Sequence, residues 1–84
     1  MHVILTDGTT VTVSRVDMAR WLEDWEIHYR ADVLLNTGAV VNVQPGDWVE
    51  FEGAQWFVDR VNEETRGSEW RTELVMSRRR RAAR

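Results

Sequence analysis

Residues 38–61, GAVVNVQPGDWVEFEGAQWFVDRV, constrain the fold of this chain more than any other stretch. Three short apolar runs follow one another, each closed by a turn. Gln44-Pro45-Gly46-Asp47 is a turn signal, because proline presets φ and glycine accepts φ > 0. Glu52-Gly53-Ala54-Gln55 is a second turn, short enough for a tight hairpin. Between them the residues alternate: Val49 and Phe51 fall on one side, Trp48, Glu50 and Glu52 on the other. A period of two is the pattern of a half-buried strand. The segment therefore specifies a small, strongly bent β-sheet.

The rest of the chain continues the pattern. Val3-Ile4-Leu5 and the β-branched run 9–13 flank Asp7-Gly8, which reads as a hairpin with Val11 and Val13 inward and Thr10 and Thr12 outward. Residues 14–30 are different. Val16, Met18, Trp21, Leu22, Trp25 and Tyr29 recur at spacings of three and four, as on a helix face, and Asp17 can cap its start. Residues 25–29 alternate like a strand. We expect a short helix or turn over 17–24 and then a strand, so that 14–30 forms one long connection, the kind of segment that usually carries function. Strands are expected at 32–35, 39–43 (after a turn at Asn36-Thr37-Gly38), 47–52, 55–61 and 70–76, with 62–68 as a polar hairpin loop. Trp70, Thr72, Leu74 and Met76 share a face of the last strand, and Trp56 and Trp70 are expected in the core.

Six or seven short strands at this spacing predict an all-β, single-domain β-barrel over residues 1–77, because closure removes exposed sheet edges. The expected core is Val11, Val13, Val33, Leu35, Val41, Val43, Val49, Phe51, Trp56, Val58, Val61, Leu74 and Met76. A chain of 84 residues hides only about 60–65% of its unfolded surface, so this core is thin. Five tryptophans are many for that length; they supply apolar area, or they mark an interface.

The charge is unevenly placed. Residues 1–74 hold all fourteen acids against six arginines, a net −8; residues 75–84 hold five arginines, a net +5. Residues 78–84 thus read as an arginine-rich tail, with only two alanines as apolar residues, mobile and dispensable for folding. Every basic residue is arginine, which makes planar, bidentate contacts that lysine cannot.

No catalytic grouping is visible. His2 and His28 lie far apart and neither belongs to a ligand-spaced cluster, so they read as ordinary strand or surface residues. Glu23-Asp24 and Glu63-Glu64 are paired acids, but adjacent residues on a strand point apart, and solvated surface is the better account. Ser14, Ser68 and Ser77 have no nearby histidine, and the glycines each fall in a turn rather than in a phosphate loop. We expect no enzyme, no metal and no cofactor. With no cysteine there is no disulfide scaffold, and no apolar run approaches the ~20 residues of a membrane span. The run Arg78-Arg79-Arg80-Arg81 has three readings: phosphate contact, a solubilising end, or docking on an acidic partner. Trp48, which shares a face with Glu50 and Glu52, is an interface candidate.

The array 41–64, VNVQPGDWVEFEGAQWFVDRVNEE, then a polar loop and a closing strand WRTELVMSRR, resembles the head-closure (head–tail stopper) proteins of long-tailed bacteriophages. The shared features are the Pro45-Gly46-Asp47 turn, the strand 49–51, the turn at Gly53, the strand Trp56-Phe57-Val58-Asp59-Arg60-Val61 and a last strand ending in arginines. They cover about half of the chain; residues 1–30 have no residue-by-residue match. The resemblance implies a small β-barrel with a long inserted loop, made in the host cytoplasm and incorporated into the virion. It implies a closed homo-oligomeric ring, on the order of twelve subunits, below the portal and adaptor. That ring seals the DNA channel and offers a surface to the tail terminator or tail tube. DNA would pass without sequence-specific contact, past a repelling acidic lining. On this reading Arg20, Trp21, Trp25, Trp48, Arg78, Arg79, Arg80 and Arg81 are the partner-interface candidates, and Glu23, Asp24, Glu63 and Glu64 the channel-facing ones. Two alternatives stand beside it: another connector part, such as a tail terminator, and a small nucleic-acid-binding barrel that uses its arginine tail.

Overall fold

The structure is a computed structural model and describes residues 1–36, 40–67 and 69–81. Its strands are β1 (His2–Ile4), β2 (Thr10–Glu23), β3 (Glu26–Asn36), β4 (Trp48–Phe51), β5 (Ala54–Arg66) and β6 (Glu69–Arg81). All neighbouring pairs are antiparallel, and the order β1-β2-β3-β6-β5-β4 closes into a barrel through Val3↔Phe51 and Ile4↔Glu50. The all-β barrel expected from the turn spacing is the fold found.

Alternation puts one face of each strand inside. Val11, Ala31, Val33, Leu35, Val49, Phe51, Trp56, Val58, Thr72, Leu74 and Met76 are buried there, with Val3 and Leu5 beside them. Every residue of the expected core is buried except Val13 and Val61, which pack half-exposed against it. Trp56 is accommodated because its indole N–H donates to the Phe51 carbonyl at 3.0 Å, and its ring meets Phe51 edge-on at 6.1 Å. Trp70 is only half-buried, contrary to its expected core position. Val75, on the opposite face from Leu74 and Met76, is buried as well.

The marked turns form as read. At 44–47 the Asp47 amide donates to Gln44 O at 3.1 Å, and the Gln44 amide donates to the Asp47 carboxylate at 3.0 Å. Glu52 and Gly53 take φ of 53° and 71°, the signs of the tight turn that matches strand twist.

The polar loop expected over 62–68 is mostly strand: β5 reaches Arg66 and pairs with β6 from Glu69 onward, because alternating polar residues pair in a ladder as well as apolar ones do. Three further expectations are corrected. First, 14–30 is neither a helix nor a long connection. It is the greater part of a β2–β3 hairpin that stays in register from Val16↔Val33 to Glu23↔Glu26. The hairpin closes on two residues, Asp24 and Trp25, at φ 52° and 63°. Neither is glycine, so the usual signal for such a turn is missing. The apparent helical spacing comes from apolar side chains spread over β2, its turn and β3, with Val16, Met18 and Leu22 on one face of β2 and Trp21 on the other. The one shift of register in this pairing is a bulge between Val13 and Arg15. Ser14 lies within that bulge and donates its hydroxyl to Leu34 O at 3.2 Å. Second, the described part of the expected 39–43 strand, 40–43, is irregular. Val41 and Val43 are still buried, held by a Val43 N–H to Val41 O bond of 3.0 Å, so alternation marked burial without a sheet partner. Of the turn expected just before it, Thr37 and Gly38 lie outside the described residues. Third, the barrel sheet does not end at Ser77. β6 continues through Arg81, because Glu26, Ile27, His28 and Tyr29 of the overlooked hairpin offer Arg81, Arg80, Arg79 and Arg78 a partner strand.

Candidate assembly surface

The long strands overshoot the barrel, which gives extents of 50 × 23 × 21 Å. β1 pairs with β2 only at residues 10–12, and β4 pairs with β5 only to Phe57. Beyond those limits β2, β3 and the end of β6 form a three-stranded arm that has lost its opposing layer. A sheet without an opposing layer leaves its apolar side chains in water. Met18, Trp21, Leu22 and Trp25 are accordingly 52%, 44%, 64% and 79% exposed.

The register assigns the arm's two faces. On the face continuous with the barrel interior, Met18 lies opposite Ala31, Arg20 opposite Tyr29 and Leu22 opposite Ile27. Arg78 and Arg80 extend the same rows on β6. The Arg78 guanidinium sits 4.4 Å from the Tyr29 ring centroid and 5.4 Å from that of Trp56. Its Nε is buried with no hydrogen-bond partner among the described residues. The two ring faces hold the cation instead, at the mouth of the barrel, a contact worth about 0.5–2 kcal/mol.

On the other face Trp21 stacks on His28, ring centroids 5.4 Å apart and ring planes nearly parallel at 10°. The Trp21 indole N–H donates to Glu23 at 3.3 Å. Across a groove of about 500 Å³, Trp48 meets Phe57 edge-on at 5.4 Å, and Asp59 and Arg79 line the groove between the aromatics. The exposed pairs Arg30–Asp32 at 3.3 Å and Arg79–Glu26 at 4.0 Å decorate this face and add at most about 1 kcal/mol each.

The fold thus gathers most of the interface candidates in one place. Arg20, Trp21, Trp25, Arg78, Arg79, Arg80 and Arg81 all belong to the arm, and Trp48 lies across the groove from it. The four acidic candidates are separated. Glu23 and Asp24 are at the arm's tip, where Glu26 pairs with Arg81. Glu63 and Glu64 are opposite Thr72 and Arg71, toward the other end of β6, so the four share no surface within one subunit. Met18, Leu22, His28, Tyr29 and Phe57 also belong to this surface, although none of them was an interface candidate from the sequence. A signal was present: residues 20–23 and 26–29 mirror each other about Asp24-Trp25, which sets Trp21 against His28. Among the described residues no group of three His, Asp or Glu side chains could hold a metal ion, and no helix is long and apolar enough to cross a membrane. Comparison with family models, with curated proteins and with solved structures finds no match to this chain.

Proposed function

We propose that this chain is a structural component of a phage head–tail junction: a subunit of a ring that closes the DNA channel below the portal or adaptor and receives the tail. The observation that supports the reading is the arm. A small barrel extends a hairpin whose apolar and aromatic side chains are exposed in the single subunit, as a part completed by neighbouring chains requires. Exposed tryptophans flanked by arginines have the composition of interface anchors. The arginines of β6 would then clamp an adjacent subunit or an acidic ring, and the acidic remainder of the chain would repel passing DNA.

Disruption of the gene in a phage that carries it tests the reading. Electron microscopy of the lysate should show filled or leaking heads and separate, complete tails. Normal tailed particles would exclude a role at the junction. Titration of the purified protein with duplex DNA separates the nucleic-acid-binding alternative, which demands affinity falling steeply with salt.

A further inference from the structure

The outer edge of β2 is open. Past Val13, whose amide donates to Met1 O at 2.9 Å, β2 has no strand on that side among the described residues. In antiparallel pairing, alternate residues turn their N–H and C=O toward one neighbour and then the other. Glu23↔Glu26 closes a two-residue hairpin and is a hydrogen-bonded pair, so Glu23, Trp21 and Ala19 address β3. Val16, Met18, Arg20 and Leu22 therefore present their backbone groups to the open edge. Exposed edges of this length are normally blunted by charged side chains, above all lysine, by proline or by a bulge. Residues 16–23 carry three charges, Asp17, Arg20 and Glu23, but no proline, no lysine and no shift of register.

We propose that in the free protein this edge pairs, antiparallel and about a two-fold axis, with the same edge of a second copy. The two arms then form one six-stranded sheet. The faces and charges select the register. Centred on Ala19, it sets Arg15 opposite Glu23 and Val16 opposite Leu22, each twice, with Met18 opposite Arg20 and the two small alanines meeting at the axis. A shift of one residue would turn apolar side chains to the wrong face. Centred on Arg20, the register would oppose the two Arg20 side chains and place Asp17 against Glu23. Centred on Met18, it would set Glu23 against the half-buried Val13 and leave Arg15 without a carboxylate opposite. Such an isologous pair is closed and cannot grow. It is the state of the free chain, independent of the ring reading, and a ring would form by exchanging this edge contact for others.

Sedimentation equilibrium on the full chain tests the pairing. The expected species has twice the 9.9 kDa chain mass and dissociates on dilution. Met18→Pro removes an N–H that the monomer's own ladder does not use, and should yield a monomer with unchanged far-UV circular dichroism. Arg15→Glu should weaken the dimer roughly three- to tenfold, and Arg15→Glu with Glu23→Arg should restore it. A wild-type chain that stays monomeric or forms larger rings would overturn the proposal, as would a failure of the double variant to recover. Tail joining by the phage does not enter this measurement, so the two proposals fail separately.

Discussion

Single residues fix this barrel through burial and local geometry. Phe51 is almost wholly buried and touches Trp56 through both its ring and its carbonyl. Phe51→Ala should cost about 3–5 kcal/mol in chemical denaturation, and a loss below ~1 kcal/mol would mean that the strand's register is wrong. Asp7 governs the first turn: the Thr9 hydroxyl, then the Thr9 amide at 2.9 Å, stabilise its carboxylate and hold its pKa below the usual range. A folded-state pKa lowered in this way contributes stability that is complete above the unfolded value, about 3.9, and is lost as pH falls through the folded one. Melting curves below pH 5 should therefore fall off less steeply for Asp7→Asn than for the wild type. Parallel curves would show that the turn does not need the charge.

At the scale of elements, legibility followed the turn chemistry. Where glycine or proline marks a reversal, as at Asp7-Gly8, Pro45-Gly46 and Gly53, the strands and their inward faces could be read from the sequence. At Asp24-Trp25 two non-glycine residues adopt positive φ, a conformation held by the ladder on either side rather than by local preference. With that reversal unseen, Tyr29 and His28 lacked a role and 78–81 lacked a partner strand. A run of four arginines was then indistinguishable from a solvated tail. The interface candidates could be picked as exposed aromatics and cations, but their convergence on one arm required the pairing. Truncation before Arg78 is thus no longer expected to be neutral. It removes the four pairings with residues 26–29 and the cation seated on Tyr29 and Trp56. A loss on the order of 2 kcal/mol should lower the melting temperature by about 8–16 °C. An unchanged melting temperature would return these residues to a tail.

The whole molecule divides its labour. The barrel buries its thin core within one chain, and the arm carries apolar surface that none of the other described residues covers. Stability and assembly should therefore be separable by mutation. Leu22 and Trp25, 64% and 79% exposed at the arm's tip, are the residues to change. Leu22→Ser combined with Trp25→Asn, a residue that tolerates positive φ, should leave the melting temperature within about 2 °C of the wild type at a dilution where both are monomeric, since exposed side chains contribute little to folding. Introduced into the phage, the same pair of changes should leave heads and tails unjoined under the electron microscope. Normal tailed particles from a stably folded double variant would contradict the claim that the arm is the assembly surface.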